Sequence, residues 1–101
     1  MSNKLSPQQL DFYTRIDEIL YYKWDPIGVS DGYWSRDEYQ SYLPKVYKLA
    51  MENDQPEPVA AYLTGISSEN MGLPENQKRD MTIAKLILYI KKGLRINEVQ
   101  D

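Results

Sequence analysis

The stretch ENQKRDMTIAKLILYIKKG, residues 75–93, decides the fold class. Met81, Ala84, Ile87 and Leu88, flanked by Ile83 and Ile90, recur at the helical period and form a wide apolar face. A strand would alternate apolar and polar side chains at every second position, and no part of the chain does so. Glu75 and Asp80 come early and Lys85, Lys91 and Lys92 late, the order that a helix dipole favours. This predicts a helix from about Glu75 or Asn76 to Lys92, ended by Gly93. The width of its apolar face predicts that it lies deepest, with Lys91, Lys92 and Arg95 on a solvated end.

Working outward, three further helices are predicted. Ser6-Pro7 opens the first, because a serine hydroxyl can take a free N–H and proline at the first helical position needs none. Its apolar face reads Leu10, Tyr13, Ile16 or Asp17, Ile19, Leu20 and Trp24, and Asp25-Pro26 predicts an end near Lys23. Residues 25–36, DPIGVSDGYWSR, read as an ordered loop. The second helical region spans about Ser35 to Glu52, with Tyr39, Tyr42 or Leu43, Val46, Tyr47 and Ala50 on one face. Pro44 allows two arrangements: a short turn around Arg36–Tyr39 followed by a helix from about Tyr42, with Ser41 as cap, or one kinked helix. Pro58 opens the third helix, whose face is Val59, Tyr62, Leu63 and Ile66, and Gly72-Leu73-Pro74 closes it with a left-handed cap residue and a stop. The expectation is an all-α single domain over residues 1–101, with loose ends at about 1–5 and 96–101.

The 101 residues carry 15 acids against 12 bases, a formal net charge of −3, and no Cys or His. One core fits a chain of this size, with no second domain for catalysis. Without Cys there is no thiol nucleophile or thiolate metal site, and without His the commonest general base and metal ligand are absent. The acidic balance argues against non-specific nucleic-acid binding, which needs a basic footprint. Residues 1–10 lack the apolar core of a secretory signal, and the longest apolar run, Leu86 to Ile90, is too short to span a membrane. These features predict a cytoplasmic protein without cofactor, membrane or direct nucleic-acid contact.

Aromatic residues are unevenly placed. Of 12, ten lie between Phe12 and Tyr47, in company with Asp17, Glu18, Asp25, Asp31, Asp37 and Glu38. Tyr and Trp bring stiff, amphipathic contact area, so an acidic, aromatic surface suits a basic protein partner. With a single Phe in the chain, any of these rings can equally be core. Adjacent rings cannot both face one core, which favours Tyr33-Trp34 as contacts and divides Tyr21 from Tyr22. The candidate protein-binding residues are Trp24, Asp25, Asp31, Tyr33, Trp34, Asp37, Glu38 and Tyr39.

The acids point less clearly to chemistry. Asp31, Gly32 and Glu38 match positions five, six and twelve of a calcium-binding EF-hand loop, but Ile27 and Val29 would stand at positions one and three, where ligands belong. A magnesium site among Asp25, Asp31, Asp37 and Glu38 is weighed against the preference of helix N-termini for acids. No catalytic residue and no metal ligand is assigned, and the alternatives are a small carboxylate-dependent, metal-binding hydrolase or a regulatory or phage-related adaptor.

Lys23-Trp24-Asp25-Pro26-Ile27-Gly28-Val29, then Arg36-Asp37-Glu38-Tyr39 and Tyr42-Leu43-Pro44, resemble a family of small uncharacterised bacterial domains with a W-D-P-I-G loop and a D-E-Y-x-x-Y segment. Tyr62-Leu63 and Met71-Gly72-Leu73 extend the resemblance, which covers roughly Ile16 to Leu73 and implies a small helical fold without an established activity. In character the chain is also similar to immunity proteins of contact-dependent growth inhibition systems. That likeness implies a monomer that binds one cognate toxin domain, for example a nuclease with a basic active-site surface, in a hetero-complex. The D-P-I-G element has a structural explanation of its own: Asp25 can accept from turn N–H groups, Pro26 fixes the exit angle and Gly28 can take positive φ.

Overall fold

The computed structural model describes residues 5–25 and 39–96. Among them the fold is all-α, with four α-helices and no strand. Helix α1 (Pro7–Ile19) runs on into a π-helical turn, Leu20–Trp24. A 3-10 turn, Gln40–Tyr42, leads into α2 (Leu43–Glu52), and α3 (Glu57–Gly65) continues into a second π-helical turn, Ile66–Asn70, ahead of α4 (Gln77–Gly93). The expected loop beyond Asp25, the turn expected around Arg36, and the outermost residues of both ends lie outside the described residues.

Several ends follow from the local chemistry. Ser6 Oγ accepts from the Gln9 N–H at 3.1 Å and Gln9 Oε1 accepts from the Ser6 N–H at 2.8 Å, a reciprocal cap that satisfies two donors at the start of α1. Asn76 caps α4 by accepting from the Arg79 N–H at 3.0 Å. Gly72, at φ 69°, takes the left-handed position that lets the Leu73 N–H reach the Ser67 carbonyl at 2.8 Å. Other ends differ from expectation. Tyr42, rather than Ser41, precedes α2, and Pro44 stands within its first turn, where its missing N–H costs nothing. Gly93 stays helical, and the left-handed residue is Arg95, at φ 59°.

The buried stripe of α1 is Phe12, Ile16 and Ile19, so Leu10, 56% exposed, faces away from the core. In the π turn the wider spiral brings consecutive side chains nearer one face, and Ile19, Leu20 and Tyr21 are all buried while Tyr22 is exposed. Leu43, Val46 and Ala50 of α2, and Val59, Ala60 and Leu63 of α3, complete the sides of the core. Rings join α1 to α2: Tyr47 lies 5.9 Å from Phe12 and 5.2 Å from Tyr13, centroid to centroid. Ile96, where a loose end was expected, is buried.

Helix α4 packs against α1, α2 and α3, as its broad apolar face predicts. Its buried positions are Asp80, Ile83, Ala84, Ile87 and Lys91, one stripe at helical spacing with an ionisable residue at each end. Lys91 is therefore not on a solvated end. Its Nζ donates to the carbonyls of Ala50 at 2.7 Å and Asn53 at 3.1 Å and stands 3.6 Å from the carboxylate of Asp54. Two carbonyls at the C-terminal end of α2, which the helix itself cannot satisfy, thus receive a cation from α4. Among the described residues no helix is long and apolar enough to cross a membrane.

Two predictions follow from this packing. Lys91→Met retains most of the buried stem and removes only the donors, and it is expected to cost about 1–3 kcal/mol in urea denaturation. Lys91→Ala costs more, because a cavity adds to the loss, whereas Asp54→Asn, at an 82% exposed side chain, changes stability by less than about 0.5 kcal/mol. Burial, reinforced by Tyr13, raises the pKa of Tyr47 above the ordinary 10.0, and burial reinforced by Tyr42 does the same for Tyr62. Because the fold favours the neutral phenols, their contribution is fully present below pH 10 and is lost as pH climbs through the raised values. Denaturation midpoints from pH 9 to 12 should fall, and less steeply in Tyr47→Phe and Tyr62→Phe.

Candidate functional site

Three of the eight residues chosen from sequence are described, and they come together. Trp24 ends the π turn of α1, Asp25 follows in the left-handed region at φ 30°, and Tyr39 precedes the 3-10 turn. The Trp24 and Tyr39 rings meet edge to face, 5.3 Å apart, and Tyr39 Oη donates to Asp25 Oδ1 at 2.7 Å. Residues 25 and 39 are thus bonded across the intervening segment, which carries Asp31, Tyr33, Trp34, Asp37 and Glu38. Those five candidates lie outside the described residues.

Burial corrects two of the candidates. Trp24 is 1% exposed and Tyr39 2% exposed, so neither ring offers contact area to a partner. Both are core aromatics whose polar atoms are bonded inside, the alternative that the scarcity of Phe had left open. Asp25 is only partly buried and accepts a side-chain hydroxyl as described above. Its expected bonds to turn N–H groups fall on residues outside the described ones.

Behind Trp24 stands a polar cluster that the sequence reading missed. Asp80, fully buried, accepts from Trp24 Nε1 at 2.9 Å and Arg79 Nε at 2.9 Å on one oxygen and from Thr64 Oγ1 at 2.7 Å on the other. Arg79 also donates from Nη2 to Ser67 Oγ at 3.4 Å, and its guanidinium carbon lies 5.9 Å from the Trp24 ring centroid. One carboxylate therefore joins the π turn of α1, the end of α3 and the first turn of α4. A buried charge is stable only when paired and hydrogen-bonded, and here the neighbours supply both. With three donors on its two oxygens, Asp80 is engaged as a structural acceptor. Among the described residues no buried side-chain nitrogen or oxygen lacks a partner.

Beside this cluster an open groove of about 430 Å³ lies between α3 and α4, lined by Glu57, Ala60, Ala61, Thr64, Gly65, Ser68, Glu69, Glu75, Gln77 and Met81. Thr64 belongs to both: its hydroxyl reaches Asp80 and its helical turn forms part of the groove wall.

Replacing Asp80 by Ala strands the guanidinium and indole donors together and is expected to cost about 3–5 kcal/mol. Thr64→Val, which keeps the shape and removes one donor, should cost about 1 kcal/mol. Thermal denaturation of both variants, and of the double mutant, should show strong non-additivity, since the hydroxyl has nothing to bond once the carboxylate is gone.

Comparison with protein families, curated proteins and solved structures finds no match to this chain.

Proposed function

We propose that the chain is a non-enzymatic protein-binding module, and that it acts as a cytoplasmic immunity protein that binds and neutralises a bacterial toxin domain with a basic surface. The observation that carries the reading is the crowding of acids and aromatics between Phe12 and Tyr47, centred on a segment whose ends are bonded to each other through Asp25 and Tyr39. Trp24 and Tyr39 hold the base of that segment from the core side, which leaves contact to Asp31, Tyr33, Trp34, Asp37 and Glu38, with Asp25 at the margin. Tyr and Trp anchors surrounded by carboxylates supply both desolvated contact area and steering of a cationic partner.

Co-expression with a toxin domain encoded in the neighbouring reading frame is the direct test. Restored growth and co-purification are expected; continued toxicity with no complex would sink the reading. In the complex, Asp37→Lys with Glu38→Lys should weaken affinity by about tenfold or more at low salt and less at high salt, with helicity unchanged. Unaltered affinity would move the interface off this segment.

A further inference from the structure

We propose that the groove between α3 and α4 is a second binding surface, a receptor for an arginine or lysine side chain of a protein partner. The inference rests on reading the chain as a module for basic partners, and it concerns a different face from the segment between Asp25 and Tyr39.

The floor of the groove comes from Ala60, Ala61 and Gly65, with Met81 on the α4 side, and glutamates 57, 69 and 75 contribute its charge. No Lys or Arg lines it, and among the described residues none forms an ion pair with any of the three glutamates. Long cationic side chains lay an apolar stem on apolar surface and keep the charged head among polar groups, which is the pattern this groove complements.

Two residues have no explanation within the chain itself. Glu57 and Glu75 stand at or just before the first turns of α3 and α4, where the helix dipole favours an acid. Glu69 stands in the last turn of the continuous helix from Glu57 to Asn70, where the dipole disfavours one. Gly65 has ordinary right-handed helical geometry, φ −61° and ψ −41°, and a Cβ built on it would meet nothing within 4 Å. Neither backbone conformation nor close packing requires glycine there, and glycine inside a helix is less stable than alanine. What the missing side chain provides is open space in the groove. An unpaired carboxylate against the dipole and a vacant helical position thus converge on one cavity, of a size ordinary for ligand sites.

The test uses the whole chain and the peptide acetyl-Gly-Arg-Gly-Lys-Gly-amide, with acetyl-Gly-Glu-Gly-Glu-Gly-amide as control, followed by amide chemical shifts. The cationic peptide should move the amides of Ala60, Ala61, Thr64, Gly65 and Ser68, more at low salt than at high, and the acidic peptide should not. Gly65→Met and Glu69→Gln should each weaken binding by about threefold or more, a shift read directly from the titration. Gly65→Ala should raise the melting temperature by about 2–6 °C while it weakens peptide binding, a pairing that a purely structural glycine would not give. Shifts elsewhere, equal response to both peptides, or binding untouched by Gly65→Met and Glu69→Gln would overturn the proposal. The Asp37→Lys, Glu38→Lys variant separates the two faces: peptide binding in the groove that survives it, even where no toxin is neutralised, upholds the groove alone.

Discussion

The bonding of Asp80 is the constraint on which the helical packing turns. A carboxylate removed from water loses several kcal/mol of hydration unless its oxygens find donors, so the Asp80 site holds together only while Trp24, Thr64 and Arg79 all reach it. Those donors come from three segments far apart in sequence, Trp24 and Asp80 being 56 residues distant. Apolar packing alone tolerates small slides of one helix along another. A bonded carboxylate does not, because each donor has a narrow range of distance and angle. The π turns at the ends of α1 and α3 lie on either side of this site: one ends in Trp24, and the other carries Ser67 beneath the Arg79 guanidinium.

Lys91 applies the same logic at the opposite end of α4. Between it and Asp80 lie three apolar contacts of one stripe, Ile83, Ala84 and Ile87, which contribute the non-directional part of the attachment. The two ends contribute direction. Asp80 fixes α4 against α1 and α3, and Lys91 fixes it against the C-terminal carbonyls of α2. Each group bonded on its own would leave the helix free to pivot about one point; together they set its position along the bundle.

Much of this architecture is legible in the chain. Ser6-Pro7, Asn76 and Gly72 mark ends through side-chain caps or a left-handed residue, chemistry that depends only on neighbours in sequence, and the structure bears them out. Asp80 and Lys91 escaped because an acid early in a helix and a lysine late in it are what the dipole favours in any exposed helix. The distinguishing signal was spacing: positions 80, 83, 84, 87 and 91 share one face, so both ionisable residues belong to the core stripe. Trp24 and Tyr39 illustrate the converse. Their crowding with other aromatics was visible, but whether a ring turns inward depends on a donor such as Asp80 or an acceptor such as Asp25 across the fold, which local sequence does not reveal. The groove was invisible for the same reason, since its walls belong to two helices and its floor is defined by a side chain that Gly65 lacks.

The location of the charges changes what the formal net charge of −3 means. Arg79 and Lys91 are drawn inward, the first against Asp80 and the second against backbone carbonyls, so two of the 12 bases are spent inside while one acid accompanies them. The face that the protein presents to solvent is accordingly more acidic than its composition states. Charge held in the interior also cannot relax to neutralise the exterior, because moving Arg79 or Lys91 outward would leave buried acceptors without donors. The acidic exterior is therefore a consequence of how the helices are fastened, and it persists as long as the fold does. A basic partner meets carboxylates whose nearest potential competitors within the chain are already committed to holding α4 in place.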